Sequence, residues 1–281
     1  DWSSDVCSSD LFNAASLYLS EKKLWEANKG FPVRTNLELE AISEIIRGKR
    51  LIHCHSYRQD EILVLLRLME DFKVKIGTFQ HVLEGYKVAD EIAAHGAGGS
   101  AFADWWAYKF EVYDAIPYAG AIMHDRGVTV SFNSDSSDHA RRLNLEAAKA
   151  VKYGGVSEEE ALKFVTLNPA KQLGVDKWTG SIEKGKHADL ALWSGHPLHY
   201  ASVCEQTWID GIQYYDRAQA PARAESMHEE RKALLKKAKA ALGSGEGKNA
   251  SQAAKDAFFL KALEFASSLH VHSCRNHNHK H

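Results

Sequence analysis

Histidine and aspartate side chains occur at the ends of three predicted strands in this sequence. His53 and His55 lie in "RLIHCH", His81 ends "KIGTFQH" and Asp135 ends "VTVSFNSD". Imidazole nitrogens and carboxylate oxygens bind zinc and similar divalent ions, and a catalytic site leaves one coordination position open to water. The series therefore predicts a metal site in which the bound cation lowers the pKa of water to about 7.

The segment around His53 follows the alternation of a strand. Successive side chains point to opposite faces, so His53 and His55 share one face and Cys54 takes the other. Taken alone, a histidine at a strand end is often only hydrogen-bonded, and an aspartate in "NSDSSD" often caps a helix, as expected for Asp138. The ordered series on three separate strand ends favours the metal site.

Strands and helices alternate from residue 36 onward. The predicted strands are "RLIHCH", "KIGTFQH", "GSAFADW" and "VTVSFNSD", and a helical pattern follows each. Such alternation is typical of βαβ units in a parallel sheet. The strand-end residues, Asp104 among them, then lie at the rim where a (β/α)8 barrel builds its catalytic site. Four units make half of a barrel, which predicts an exposed sheet edge.

The pattern changes after residue 175. "SEEEALKFVTLNPAKQLGV" predicts a helix with Pro169 close to a break, and two later segments with Gly and Pro turns predict a small β-sandwich or sheet. From Pro221 the chain is charged and helical, and it ends in "HVHSCRNHNHKH". Histidine-rich tracts bind metals loosely, but we expect this tail to be disordered.

Composition excludes several classes of partner. The chain has 281 residues, 44% of them hydrophobic, and a formal charge of −2 without a basic face, which argues against nucleic acid. Its four cysteines are scattered and do not form a disulfide framework. No apolar run reaches the roughly 18 residues of a membrane span, so no membrane partner is expected. A small-molecule or peptide-like substrate is expected, and a homo-oligomer is compatible with the sequence.

Several motifs resemble the amidohydrolase superfamily, on the branch near imidazolonepropionase and the Xaa-Pro dipeptidase-like enzymes. They are "LIHCHSYRQDEI", "FQHVLEGYKVADEIA", "VSFNSDSS" and the specific pair "TLNPAKQLGV" and "GSIEKGKHADLALWSG". The resemblance spans about residues 36–217 and corresponds to the carboxyl-terminal two-thirds of the family. It implies an α/β fold: strands 5–8 of a (β/α)8 TIM barrel, part of a small β-sandwich composite domain and a helical C-terminal tail.

The resemblance also implies roles for the strand-end residues. His53 and His81 would be ligands of one metal, while Asp135 would bind the other and act as the catalytic base. His55 is the alternative to His53, as the ligand or as its orienting neighbour. Glu84 is expected to orient His81 or to cap the following helix. The implied cofactor is a divalent metal, zinc by expectation, as one or two ions.

The implied activity is hydrolysis of a carbon–nitrogen bond in an amide, a cyclic amide or a dipeptide, by metal-activated water. A deaminase is the alternative within the family. Deaminases of this kind place a glutamate close after the fifth-strand histidine, whereas the first acid after His53 is Asp60, which favours the amide hydrolase. A non-catalytic fragment is the third hypothesis.

Residues after the fifth strand are predicted to bind substrate. Tyr57 and Arg58 would overhang the site, where Arg58 either clamps a substrate carboxylate or pairs with an acid such as Asp60. The aromatic segment "DWWAYKFEVYDAIPY" would line an apolar pocket or pack between helices.

Two features depart from the family pattern. The first-strand His-x-His pair and the fourth-strand bridging carboxylate have no candidate before residue 50, and the stretch from His53 to Asp135 is too short to hold seven crossovers. "HCH" therefore belongs to the fifth strand. Residues 1–11 resemble a translated sequencing adapter, as metagenomic fragments carry, and are expected to be a non-native scar before a truncated product.

These observations predict four segments. They are a scar (1–11), a partial barrel (12–175), a composite β segment (176–217) and a helical extension with a histidine-rich tail (218–281). The fragment alone is expected to be inactive. Its location stays open between periplasmic or secreted and cytoplasmic.

Overall fold

A computed structural model of the chain describes residues 2–105 and 109–243, together with Lys261. The chain divides into two compact units, Asp1–Arg217 and Ala218–His281. In the second unit the described residues form a helix, Ala220–Gly243, as the charged helical pattern predicts. The histidine-rich tail lies outside the described residues.

A parallel sheet of four strands forms the centre of the first unit. The strands are β1 (Ile52–His55), β2 (Ile76–Gln80), β3 (Gly98–Ala101) and β4 (Thr129–Phe132). They lie side by side in sequence order, each parallel to the next. The predicted parallel α/β arrangement is confirmed, and all four carboxyl ends lie at one edge of the sheet.

Helices connect and flank these strands. They are α1 (Trp2–Glu26), α2 (Leu37–Ile46), α3 (Gln59–Asp71), α4 (Ala89–His95), α5 (Ala119–Asp125), α6 (Ser137–Ala140), α7 (Leu143–Gly154), α8 (Glu158–Lys163) and α9 (Leu167–Gln172). Short 3₁₀ turns lie at Gly85–Val88 and Phe110–Val112.

The core lies where apolar helix faces meet the sheet. In α3 the buried residues Ile62, Leu66 and Met69 recur at helical spacing and form one face of the helix. They join Phe79 of β2 and Val130 of β4 in one hydrophobic cluster. This packing supports the strands whose ends carry the candidate site.

Two short helices cover the outer edge of β4. The amide of Phe132 donates to the carbonyl of Phe164 at 2.8 Å, and the Asn168 side chain donates to the Val130 carbonyl at 2.8 Å. This part of the β4 edge is therefore not open, whereas in the described sheet β1 has only β2 as a partner strand, so the expected exposed edge stays a prediction. The predicted helix is divided into α8 and α9 by a turn at residues 164–166, close to Pro169 as expected. Pro169 itself lies in the first turn of α9, where its missing N–H is not needed.

The predicted β segment forms an antiparallel sheet. Its strands are β5 (Leu190–Trp193), β6 (Cys204–Ile209) and β7 (Ile212–Asp216), in that order. Asp210 and Gly211, with φ of 51° and 78°, form the two-residue turn between β6 and β7, which favours residues that tolerate positive φ. The described residues of this region form one sheet; a sandwich partner for it stays a prediction.

Helix α1 runs through the boundary expected at residue 11. Residues 2–11, which lie in the expected scar, form the first turns of α1. Further along, Phe12 packs against Phe72 with 5.2 Å between ring centroids, and Tyr18 donates to Glu40 at 2.6 Å. The non-native origin of residues 1–11 stays a prediction.

Across the described ranges, none of the helices combines the length and apolar character needed to cross a membrane.

Candidate active site

The alternation predicted for β1 is present. Cys54 packs against the hydrophobic core, while His53 and His55 are exposed on the opposite face. On that face His53 pairs in register with Thr78 of β2, and His55 pairs with Gln80. Two imidazoles are thus presented at the carboxyl end of the strand that begins the sheet.

The two histidines have different neighbours. The ring of His55 lies edge-on to the ring of His81, with 4.7 Å between centroids. His53 instead has its Nδ1 3.3 Å from Nε2 of Gln80. Among the ring contacts of the described residues, His55 and not His53 is the partner of His81. Which of the two histidines would bind a metal stays a prediction.

His81 is held by side chains of the next two strands. Its Nδ1 lies 3.1 Å from Oδ1 of Asn133, and the Asn133 amide nitrogen donates to Oγ of Ser100 at 2.8 Å. His81 has a positive φ of 58°, which is uncommon for a residue other than glycine. Hydrogen bonds and backbone conformation together aim this ring across the strand ends.

Asp135 follows β4 and also has a positive φ, 42°. Its charge acts on His81 and favours the protonated imidazole. Burial of the ring is the largest influence and lowers the pKa of His81, and the nearby His55 lowers it further. These two effects outweigh that of Asp135, so the pKa of His81 lies below its usual value. The neutral imidazole, the form that binds metals, is therefore favoured.

Tyr57 and Arg58 differ in their relation to the site. Tyr57 is buried, and its ring lies edge-on to His55 at 4.7 Å, with Nζ of Lys109 4.1 Å from the ring centroid. Arg58 instead donates to both carboxylate oxygens of Asp60, at 3.0 and 3.1 Å. Tyr57 lines the site, whereas Arg58 makes the ion pair that the sequence left as its alternative.

Glu84 links two loops of the site. Its carboxylate accepts the amide of Gln59 at 3.0 Å, and its own amide donates to the Tyr57 carbonyl at 3.0 Å. Gln59 is the first residue of α3, so Glu84 caps the preceding helix rather than the following one. It steadies the loop that carries Tyr57.

A series of rings lies beside His81, and the sequence indicated only the segment that contains Trp105. Phe102 stacks on His81 at 5.0 Å, Trp105 stacks on Phe102 at 4.7 Å, and His139 meets Trp105 edge-on at 4.7 Å. The aromatic density after the third strand was the available signal. Of that segment, residues 106–108 lie outside the described residues.

Asp104, another strand-end residue, is engaged in an ion pair. Nζ of Lys149, on α7, lies 2.7 Å from its Oδ1 and 3.0 Å from Oε1 of the buried Glu146. This cluster ties the loop after β3 to α7. These contacts of Asp104 are those of a structural element.

The side chains at the rim are of the types that bind divalent cations, but too few of them converge to complete a coordination shell. Two imidazoles with centroids 4.7 Å apart, and a carboxylate that acts on one of them, are donors that zinc prefers. Within residues 2–105 and 109–243, however, no three His, Cys, Asp or Glu side chains converge closely enough to hold an ion. His53, His81 and Asp135 therefore do not form a complete site in this part of the chain.

A profile of the Amidohydrolase family matches residues 116–224. The chain is 33% identical over 187 residues to amidohydrolase tasK of Hapsidospora irregularis, and the match covers 64% of this chain and 19% of tasK. It is 31% identical over 152 residues to the imidazolonepropionase of Thermoplasma volcanium, with coverage of 51% and 37%.

Among solved structures, an amidohydrolase from Thermotoga maritima MSB8 has a similar fold. Its TM-score is 0.69 at 30% identity, and the match covers 76% of this chain and 56% of the solved one. This chain thus spans little more than half of the solved structure, and less than two-fifths of either curated relative.

Proposed function

This chain belongs to the amidohydrolase superfamily, and we propose that it forms the carboxyl-terminal half of the barrel of a metal-dependent hydrolase that cleaves carbon–nitrogen bonds. The observation that carries the proposal is the meeting of the His55 and His81 rings at the carboxyl edge of the sheet, where β4 also ends shortly before Asp135. In a barrel this edge is where catalysis is built.

His55 and His81 are the residues that would hold a divalent cation, with zinc as our expectation, and His53 remains a second candidate. One or two ions are compatible with the proposal. When bound, the cation would polarise the scissile carbonyl and make water more acidic. Because the described donors do not complete a coordination shell, the remaining ligands would come from barrel strands other than these four.

Asp135 is the proposed base. Its carboxylate would accept a proton from the attacking water and then return a proton to the leaving nitrogen, so that one group serves both halves of the reaction. Its left-handed backbone turns the chain at the end of the strand, next to the edge where His81 lies.

The wall around His81 bears on the kind of substrate. Tyr57, Phe102 and Trp105 present aromatic surface beside the imidazoles, and Lys109 lies over the Tyr57 ring. Such a wall suits a small-molecule or peptide-like substrate with an apolar portion. We propose Tyr57 as the substrate contact and do not extend this role to Arg58, which pairs with Asp60.

The test is a chimera in which the amino-terminal barrel half of the Thermotoga maritima amidohydrolase precedes residues 36–217 of this chain. We expect the chimera to bind zinc stoichiometrically and to release a carboxylate from N-acyl amides, cyclic amides or dipeptides. The matched control carries Asp135→Asn and should bind zinc without turnover. A zinc-loaded chimera that releases only ammonia from amino-substituted rings would identify a deaminase instead. For the 281-residue chain alone, we expect weak zinc binding and no turnover.

A further inference from the structure

Three strand ends are joined by side-chain hydrogen bonds that pass through Asn133. Ser100 on β3, Asn133 after β4 and His81 after β2 form one continuous link, with distances of 2.8 and 3.1 Å. Asn133 is half-buried and Ser100 is buried, so these bonds compete with little bulk water. Asn133 thus reaches across β3 to a residue 52 positions earlier in the chain.

We propose that Asn133 is a positioning residue that fixes the tautomer of His81: its Oδ1 accepts a proton carried by Nδ1, which leaves the lone pair on Nε2. A neutral imidazole carries one proton, and the hydrogen bond made by one nitrogen decides which nitrogen is free to bind a ligand. This inference rests on the proposed function for its purpose, since a ligand imidazole needs such an orienting partner.

Ser100 accepts a hydrogen bond from the Asn133 amide in the observed arrangement. Because the amide nitrogen donates to Oγ of Ser100, the carbonyl oxygen is the atom that faces His81. The reversed amide would donate to Nδ1 of His81 and place the imidazole proton on Nε2, where it would block a ligand. The two arrangements therefore predict opposite tautomers for the same ring.

A second histidine supplies an internal reference. Nε2 of His95 accepts the backbone amide of Ile76 at 3.0 Å, so neutral His95 carries its proton on Nδ1. Its side chain is 5% exposed, and its Nδ1 lies 3.8 Å from a carboxylate oxygen of Glu70. His95 thus provides the ¹⁵N signature of an Nδ1–H imidazole within the same molecule.

The experiment is ¹⁵N NMR of the imidazole rings in the full chain, treated with a chelator, at about pH 8, above the usual histidine pKa of about 6.5. We expect His81 to have the Nδ1–H pattern of His95. In Asn133→Leu the two ¹⁵N resonances of His81 should exchange positions, while those of His95 stay. Asn133→Asp keeps an acceptor and should restore the original pattern. An Nε2–H pattern in the parent chain, or an unchanged pattern in Asn133→Leu, would overturn the proposal.

Should Asn133→Leu fail to fold, Ser100→Ala tests the same link with a smaller change. Without its anchor the Asn133 amide can turn over, so a mixture of both His81 tautomers is expected, and an unchanged pattern would contradict the role of Ser100. A zinc titration of the same samples separates this inference from the proposed function. If His81 is Nδ1–H but zinc leaves its resonances unmoved, the positioning stands and the metal role of His81 fails.

Discussion

The ring of His55 lies 4.7 Å from the ring of His81, whereas His53, two residues earlier on the same face of β1, contacts Gln80. The second histidine of "HCH", His55, is therefore the one that pairs with His81 at the rim. If His55 and His81 share a cation, the two histidines of β1 should differ sharply when substituted.

We predict that His55→Gln weakens zinc binding by at least about tenfold, the lower bound for loss of an orienting partner alone. His53→Gln should change the affinity much less. Isothermal titration, with cobalt absorption as a second probe, measures both variants. A larger loss in His53→Gln would return the ligand role to His53.

Asp135→Asn should abolish hydrolysis in the chimera while leaving its fold intact. A general base contributes about 10²- to 10⁴-fold to the rate, and asparagine tolerates the left-handed backbone at this position. The rate and the melting temperature are measured on the same preparation. Turnover close to that of the parent would dismiss Asp135 as the base.

Glu84→Ala should destabilise the chain by about 1 kcal/mol, the usual effect of losing a helix cap. The carboxylate accepts the first amide of α3, and Glu84→Gln keeps an acceptor there, so its loss should be smaller. Urea unfolding followed by circular dichroism gives both values. Equal losses in the two variants would mean that charge, rather than the hydrogen bond, is responsible.

Lys149→Met should destabilise the chain by about 2 kcal/mol, because it leaves the buried carboxylate of Glu146 without its cation. Lys149→Arg keeps the charge and should lose less. Combining Lys149→Met with Glu146→Leu should recover part of the loss, because the unpaired charge is then removed. The same urea titrations measure the series, and an additive double variant would show that the two residues are not coupled.

The lowered pKa of His81 predicts a pH dependence of the metal-free chain. Because the unfolded chain takes up this proton at higher pH than the folded one, the contribution to stability is complete above the usual histidine pKa of about 6.5 and is lost as pH falls toward the folded value. His81→Asn, which suits the positive φ, should flatten this part of the curve. An unchanged slope of unfolding free energy against pH would contradict the prediction.

The strands of the parallel sheet and the main helices between them could be predicted because their patterns are local, whereas α1 was not predicted. Apolar spacing predicts α3 and alternation predicts the faces of β1, and neither needs knowledge of distant residues. Alternation also predicted that His53 and His55 share one face of the strand. It did not predict which of the two contacts His81. That choice depends on lateral packing and on the irregular register between Ile52 and His53.

Residues that act across the sheet could not be predicted from the sequence. Asn133 reads as part of a turn in "NSDSSD", and its contact with His81 spans 52 positions. Lys149 meets Asp104 across 45 positions. Such pairs depend on which strands become neighbours in the sheet. A single sequence contains no local pattern that predicts this arrangement.

The left-handed backbone at His81 and Asp135 has a consequence for protein engineering. Glycine or asparagine would adopt these φ values of 58° and 42° more readily than histidine, and glycine more readily than aspartate. A laboratory selection for heat resistance alone should therefore enrich replacements at position 81, so that thermostable descendants of this chain would include variants without a proposed metal ligand.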